Sequence, residues 1–234
     1  MVTKKLPHEI KSEETKNKVF TAVERMLSEF DFKYLTVRNI CEEAQVAYGS
    51  FYHHFENKEN LLFIYTHQLF KENLADNPCP EWLDTNDYIK HILWYVVVLG
   101  HFCEVLGRDL TGYIHKNCPH SLFEETLVND IRPILQQADE QGFIDKRRRV
   151  LDRDPIDLII KDMEILCDGT LMWWGSARDE SEALHETLEH LCFNMLYSFS
   201  SDEYRESDFP HNLVTEFPDF KGSINIRGVP APQK

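Results

Sequence analysis

The sequence predicts an all-α protein with a small N-terminal helical domain and a larger C-terminal one. Apolar residues recur at the three- and four-residue steps of amphipathic helices along most of the chain. No stretch of useful length alternates apolar and polar residues as a strand would, and no internal repeat is visible. The 234 residues, 42% of them hydrophobic, are enough for one large packed domain or two small ones.

The N-terminal block contains four predicted helices. The first spans residues 13–30, and two short ones span 37–44 and 48–55 with about three residues between them. Thr36 precedes the second helix and is an N-cap candidate. The fourth helix, over 58–74, begins the larger domain.

Helical spacing continues through the rest of the chain. Turn signals such as Gly112 separate four longer segments, which are 86–107, 122–142, 155–178 and 181–199.

Three regions follow from this pattern. Residues 1–57 form the first domain, ordered from about residue 12, and residues 58–200 form the second. Residues 201–234 contain four prolines and little periodicity, which predicts an extended or disordered tail.

Charge is distributed unevenly along the chain. The net charge is −15, which disfavours a protein that coats nucleic acid or an anionic membrane with its whole surface. Residues 1–75 hold 10 basic and 11 acidic side chains, whereas residues 76–234 hold 15 and 29. A local DNA-binding module in the first region therefore remains compatible with the composition.

Composition also predicts the compartment. The six cysteines include no CxxC pair, which is typical of reduced thiols in a cytoplasmic protein. The first residues lack the apolar stretch of a signal peptide, and the longest apolar run, 92–100, is about half of a bilayer crossing. We expect a soluble cytoplasmic protein with no membrane partner.

The short helices at 37–44 and 48–55 form a predicted helix-turn-helix, whose second helix fits the major groove of DNA. The exposed side chains of that helix offer small donors, acceptors and hydroxyl groups to bases and phosphates. Thr36 and Lys58 lie at helix starts, where phosphate contacts are common, and Arg38 has the fork that binds a guanine edge. The candidate DNA-binding residues are Thr36, Arg38, Tyr48, Gly49, Ser50, Tyr52, His53 and Lys58.

The run from Leu35 to Leu62 resembles the DNA-binding segment of TetR-type (TetR/AcrR) regulators. The similarity covers roughly residues 13–65 and is most specific in the pattern YxHF…NKExLL, which ends the run. It implies a dimeric, all-helical transcriptional regulator whose C-terminal domain binds a ligand and forms the dimer. This chain departs from the family at Gln45 and Ala47, where Gly and a small hydroxyl residue are common, and Ala47 removes a possible helix cap.

The resemblance assigns roles to single positions. Tyr48, Gly49, Ser50 and His53 match groove-facing positions, Thr36, Tyr52 and Lys58 match phosphate-contacting ones, and Arg38 matches a position that contacts bases in some members. Phe51 and Phe55 are instead expected in the core, and His54 is expected to pack inside the module.

The last two long helices carry more apolar residues than one face of each needs. A four-helix bundle shared with a second subunit is the expected use, and two-fold symmetry would then set the two DNA-reading helices about 34–36 Å apart. The candidate dimer residues are Met163, Leu166, Leu171, Trp173, Leu184, Leu188, Leu191 and Met195.

Aromatic residues with a few polar tips are dense in the C-terminal domain, which suits a pocket for a small, largely apolar or aromatic molecule. At helical spacing, most of them are equally compatible with a plain core. The candidate pocket residues are Phe63, His67, Phe70, Trp94, Tyr95, Val98, His101, Phe102, Tyr113, Leu127, Ile131, Met163, Cys167, Thr170 and Trp174.

Two further patterns predict no function. His115, Cys118 and His120 have metal-ligating side chains but no fourth ligand nearby, so we expect a surface turn, with no metal and no cofactor. The basic run 146–149 is expected to be a solvated loop balanced by nearby acids such as Asp145. No HExxH, GxSxG, GxxxxGK[ST] or GxGxxG pattern appears, so we expect no enzymatic activity.

The predicted function is a homodimeric repressor that binds a pseudo-palindromic double-stranded operator and is released by an unknown small-molecule effector. Activation instead of repression stays open, because operator position decides it. Two other classes stay open as well: an all-helical enzyme, and a TetR-like protein that acts through protein contacts without DNA.

Overall fold

The computed structural model describes residues 7–30, 32–118, 120–148, 153–176, 183–209, 211–220 and 224–228. Over these residues the fold is all-α, and the only extended pairing is an isolated bridge between Ile144 and Ser200. The helices are α1 (Pro7–Glu29), α2 (Val37–Ala44), α3 (Tyr48–His54), α4 (Lys58–Asp76), α5 (Tyr88–Leu106), α6 (Arg108–Asn117), α7 (Glu124–Thr126), α8 (Arg132–Glu140), α9 (Pro155–Ser176), α10 (Leu184–Phe199) and α11 (Asp202–Arg205).

The chain forms two compact units, and the division falls inside α4 between Leu69 and Phe70. The predicted boundary after residue 57 is therefore too early. Leu61, Leu62 and Tyr65, all on the first part of α4, are buried in the first unit, because this stretch completes the small core of that unit.

The core of the first unit is built from α1, α2, α3 and the start of α4. Its fully buried side chains come from each of these helices, and Phe20 on α1 packs its ring 5.6 Å from that of Tyr65. The buried members are Val19, Val23, Met26, Leu35, Ile40, Cys41, Phe51, Phe55, Leu61 and Leu62.

Helix α5 is the central element of the second unit. Fourteen of its 19 residues are buried, and it packs against α6, α8 and α10. It is also the one helix in the described part of the chain that is long and apolar enough to span a bilayer. Because 72% of its most apolar window is buried against protein, α5 has the surroundings of a core helix.

Helices α6 and α9 cross at a pair of glycines. A Cβ on Gly175 would lie 2.3 Å from the Cα of Gly112, so neither position has room for a side chain. The prediction that Gly112 marks a turn is wrong: it lies within α6, a helix that the sequence pattern missed. Glycine serves here to bring two backbones together rather than to break a helix.

The predicted helix over 122–142 is interrupted near its middle. Leu127–Ile131 form a π-helical turn between α7 and α8, and the N–H of Arg132 bonds the carbonyl of Leu127. Pro133 follows at once. Because proline has no N–H and its ring crowds the preceding turn, a widened turn before it is physically favoured.

The expectation of an extended or disordered tail is wrong for the described residues after 200. Helix α11 and two 3-10 turns, Val214–Glu216 and Pro218–Phe220, occupy this segment. The hydroxyl of Tyr204 donates to Asp87 Oδ1 at 2.5 Å, and Glu189 accepts from Thr215 Oγ1 at 2.6 Å. These anchors satisfy buried polar groups and hold the segment to the second unit.

Asn73 on α4 and Asn77, which directly follows that helix, hold the extended segment near the C-terminus. The amide of Asn73 donates to the Arg227 carbonyl at 2.9 Å and accepts from its N–H at 2.7 Å. The amide of Asn77 does the same with Asn225, at 3.2 and 2.9 Å. The side chains thus pair with the extended 225–227 backbone as a neighbouring strand would.

Candidate nucleic-acid interface

Helix α2 begins and ends with well-formed caps. The Thr36 side chain accepts a hydrogen bond from the Asn39 N–H at 3.2 Å, as the sequence predicted. At the other end Gln45 has the left-handed conformation, with φ 53° and ψ 43°. This conformation costs a non-glycine residue about 1–2 kcal/mol, so the tight turn into α3 is made despite an unfavourable side chain.

Helix α3 begins without a side-chain cap. Ala47 occupies the N-cap position and makes no side-chain hydrogen bond there, as its methyl group requires. Its carbonyl accepts from the N–H groups of Ser50 and Phe51, at 2.9 and 3.1 Å. The helix is therefore held mainly by packing of its inner face.

The two faces of α3 differ sharply. Phe51 is fully buried, and its ring lies 5.4 Å from that of Phe55, which is also buried. On the other face Tyr48 and Tyr52 are 47% and 55% exposed. The full set of exposed residues on this face is Tyr48, Gly49, Ser50, Tyr52 and His53, which we call the reading face.

The reading face has room for close approach by a partner. Apart from the adjoining backbone of α3 itself, no described protein atom lies within 4 Å of the place where a Cβ on Gly49 would stand. The exposed rings of Tyr48 and Tyr52 offer contact area to a DNA groove, and their hydroxyl groups are able to bind bases or phosphates. The backbone at Gly49 has no side chain to hinder this approach.

The predicted cationic contacts lie beside α3. Arg38 is exposed and bridges Glu42 one turn further along α2, with Nε 2.9 Å from the carboxylate. The Lys58 ammonium lies 5.1 Å from the centre of the Phe32 ring. Thr36 is exposed at the start of α2. All the predicted DNA-binding residues thus belong to the first unit.

His54 is half-buried beside the reading face, between His53 and Phe55. Burial, the neighbouring His53 and Lys16 lower the pKa of His54 below its ordinary value. A neutral, partly packed ring agrees with the interpretation of His54 as a structural residue.

The predicted dimer residues fall into two groups. Met163, Leu171, Leu184 and Leu188 are fully buried within the second unit, so they have no surface for a partner and the assignment is wrong for them. Trp173 is 52% and Leu191 39% exposed, and Leu166 and Met195 are half-buried.

Two exposed apolar residues of α9 were missed because helical spacing alone does not tell inner from outer faces. Ile165 is 61% and Met172 is 49% exposed. Trp173 and Leu191 are exposed as well, and we call these four residues of α9 and α10 the apolar face.

The predicted pocket residues also divide. Phe63 and His67 lie on the first part of α4, within the first unit, with rings stacked 5.7 Å apart. Tyr95, His101 and Tyr113 are half-buried in the second unit. The rest are buried there, which matches the alternative of a plain core: Phe70, Trp94, Val98, Phe102, Leu127, Ile131, Met163, Cys167, Thr170 and Trp174.

The two remaining sequence patterns are the His/Cys group near α6 and the basic run 146–149. His115 is buried in α6, Cys118 follows that helix and His120 is exposed, so the three do not share one surface turn. In the basic run, Lys146 pairs with Asp139, and Arg147 pairs with Asp145 and Asp202. Residue 149 lies outside the described residues.

Comparison with known proteins agrees with this geometry. Residues 20–63 match the family model described as bacterial regulatory proteins, tetR family. No curated protein sequence matches the chain significantly. The helix-turn-helix, with its buried Phe51 and exposed reading face, lies inside the matched residues. The chain carries the N-terminal domain of the tetR family, which confirms the resemblance seen in residues 35–62.

Solved structures agree on the fold. RolR in complex with resorcinol aligns with a TM-score of 0.56 and 18% identity, over 86% of this chain and 98% of that one. FadR of Thermus thermophilus in complex with lauroyl-CoA aligns with a TM-score of 0.52 and 22% identity, over 83% and 98%. At these sequence identities the alignments show only that the all-helical fold is shared, and that the similarity continues beyond the N-terminal domain.

Proposed function

We propose that this protein is a homodimeric, ligand-responsive repressor that binds operator DNA through the reading face. The observation that carries the proposal is the division of α3 into a buried face at Phe51 and an exposed face at Tyr48–His53. Major-groove recognition requires a helix whose inner face packs against the protein and whose outer face is exposed.

Each part of the reading face has a distinct task in this proposal. Tyr48, Ser50 and His53 contact base edges, and the bare backbone at Gly49 lets α3 enter the groove deeply. Tyr52 and Lys58, with Thr36 and Arg38 on α2, contact the phosphates on either side. In the free protein Glu42 holds the Arg38 guanidinium, so binding exchanges that exposed ion pair for a phosphate or a guanine edge.

The apolar face supports the homodimer. Ile165, Met172, Trp173 and Leu191 are large apolar side chains left exposed on two neighbouring helices, a pattern typical of an interaction surface. A second copy of the same face would bury them and would present two reading faces to one pseudo-palindromic operator.

Ligand release follows from the course of α4 in the proposal. This helix begins at Lys58 and ends at Asp76, so it runs from the first unit into the second. A small, largely apolar or aromatic molecule bound in the second unit would favour one position of α4 and thereby one spacing of the two reading faces. RolR in complex with resorcinol, an aromatic molecule, and FadR in complex with lauroyl-CoA, whose acyl chain is apolar, are examples of ligand-bound proteins with a similar fold.

DNA binding is tested by fluorescence anisotropy on the DNA upstream of the protein's own gene, with an unrelated duplex as the nonspecific competitor. We expect specific binding that is much tighter than binding to the competitor and that weakens as salt rises. Binding to neither duplex at moderate salt would contradict the proposal and favour a regulator that acts through protein contacts.

The dimer is tested by light scattering on Trp173→Ser, with the exposed Tyr34→Ser in the first unit as a matched control. The first variant is expected to be monomeric and to lose specific DNA binding, whereas the second remains dimeric. A strictly monomeric wild-type protein would overturn this part. Turnover of a bound effector would instead favour the enzyme class.

A further inference from the structure

Two histidines and a glutamate come together in the second unit, on the facing sides of α5 and α10. His101 and Glu104 are one turn apart on α5, and His185 lies in the first turn of α10. One ring nitrogen from each histidine and one oxygen of Glu104 all lie within 4.8 Å of one another. We call these three residues the His-Glu cluster.

The backbone holds the cluster in place. A Cβ on Gly100 would lie 2.4 Å from the Cα of His185, so α5 and α10 touch at this point. The rings of His101 and His185 stack with centroids 3.8 Å apart. Glu104 also accepts a hydrogen bond from the His185 backbone N–H at 3.2 Å, which holds the carboxylate at the Nδ1 edges of the two rings.

The distances inside the cluster suit a shared ion. His185 Nδ1 lies 2.9 Å from Glu104 Oε1, and His101 Nδ1 lies 3.3 Å from Oε2. Ligand atoms that stand about 2.0–2.2 Å from one zinc ion lie about 3–3.6 Å from each other. The two nitrogen–oxygen separations are close to this range, and all three ligand atoms lie within 4.8 Å of one another. Because the two rings stack at 22°, they must turn relative to each other before both nitrogens point at one ion.

The far side of the His101 ring has no anchor in the described residues. Its Nε2, opposite the Nδ1 that faces Glu104, is buried and has no hydrogen-bond partner there.

One side of the cluster opens onto a pocket of about 460 Å³. Its walls include both histidines and, from the C-terminal segment, Thr215, Phe217 and Phe220. An ion held by the cluster would have three protein ligands and free positions on this side, for water or a ligand with a donor atom.

We propose that the His-Glu cluster binds a divalent transition metal of the zinc type, with its free coordination positions facing this pocket. Imidazole nitrogen and carboxylate oxygen are ligands that such ions accept, whereas Mg²⁺ and Ca²⁺ prefer oxygen alone. The bound ion ties α5 to α10. This site is independent of DNA binding, so each proposal is able to fail without the other.

The test is a titration of the metal-free, untagged full chain with Zn²⁺ by calorimetry and thermal melting, and with Co²⁺ by visible absorption. We expect a single saturable site, a higher melting temperature with Zn²⁺, and no response to Mg²⁺. The Co²⁺ complex should show d–d bands without a thiolate charge-transfer band, because the ligands are nitrogen and oxygen. Absence of saturable Zn²⁺ binding would mean that the cluster is only a hydrogen-bond network.

Variants locate the site. Glu104→Gln and His185→Gln should each weaken Zn²⁺ binding by at least about 10-fold. Glu140→Gln, which alters an exposed carboxylate at the end of α8, away from the pocket, should leave it unchanged. Cys118→Ser tests the other ligand-type residues near α6 and should also have no effect.

Equal affinity in Glu104→Gln and wild type, or loss of binding in Cys118→Ser, would overturn the proposal. Circular dichroism reports whether each variant is folded. If the cluster variants fail to fold, X-ray absorption on the wild-type Co²⁺ complex decides: imidazole ligands support the site, and sulfur ligands refute it.

Discussion

Helices α3 and α5 use their side chains in opposite ways. Five of the seven residues of α3 are exposed, whereas 14 of the 19 residues of α5 are buried. In α3 a single buried ring, Phe51, holds the helix while its neighbours remain free for a partner. In α5 nearly every side chain packs, so the helix stabilises its unit. The two helices thus separate the residues that we propose to contact DNA from the residues that support the fold.

The contrast between buried and exposed residues is tested most directly by two substitutions within α3. Phe51→Ala removes a fully buried ring and should cost about 3–5 kcal/mol of unfolding free energy. Tyr52→Ala, one residue away and 55% exposed, should cost less than about 0.5 kcal/mol while weakening DNA binding. Urea unfolding and anisotropy measure the two effects. Similar stability losses in both variants would show that the exposed face is not free.

A pH titration tests the buried character of the second unit. Burial lowers the pKa of His115 from its ordinary 6.5 to about 4. As pH falls from 6.5 to 4, His115 becomes protonated in the unfolded chain before it does in the folded protein. The free energy of unfolding is therefore highest above pH 6.5 and decreases toward pH 4. The loss is at most about 3 kcal/mol, since Asp168, 3.6 Å away, favours the charged ring.

The variant His115→Leu should therefore flatten the stability profile between pH 6.5 and 4, as followed by chemical unfolding at each pH. His120→Gln changes an exposed histidine and is the matched control, with an unchanged profile. A steep profile retained in His115→Leu would assign the acid sensitivity to other groups.

Glycine substitutions sharpen the comparison further, because the two units use glycine differently. Gly175→Ala places a methyl group against the backbone of Gly112 and should cost about 1–3 kcal/mol. Gly49→Ala meets no protein atom within 4 Å and should stabilise α3 by about 0.5–1 kcal/mol. Melting temperatures should move in opposite directions. A tolerated Gly175→Ala would mean that α6 and α9 separate easily.

The smallest expected effect on stability concerns the edge of the reading face. Lys58→Ala should leave the fold intact and weaken binding to all DNA sequences about equally. It should also lower the slope of log K against log salt by about one unit, as for one lost phosphate contact. Tyr48→Ala and Ser50→Ala should instead change base preference. Equal losses on every sequence in these two variants would place the base-reading side elsewhere.

The sequence predicts the first unit well because its signals are local. Thr36 caps α2 where an N-cap residue is expected, and Phe51 is buried as the spacing from Phe55 implies. The exposed residues of α3 follow one another along the chain, so a single turn of helix brings them together. Their fold and exposure are therefore readable without tertiary information.

The second unit is less readable because its decisive contacts join distant positions. Gly112 suggests a turn until Gly175 is known to lie against it. His101 and Glu104 meet His185 only through the packing of α5 on α10, a contact that no spacing rule contains. The C-terminal segment is ordered by Glu189 and by other partners far along the chain. Local sequence propensity predicts the turns of the C-terminal segment, but it does not predict the distant residues that bind the segment.

The pairing of Asn73 and Asn77 with the C-terminal segment has a practical consequence for anyone who shortens this protein. A chain cut after Phe199 would look reasonable on composition, since proline-rich ends are often trimmed. The cut would remove the C-terminal partners of Asn73 and Asn77, and those of Asp87 and Glu189 as well. Four polar side chains would then need new partners or solvent. A trimmed protein that precipitates would therefore say little about the natural one.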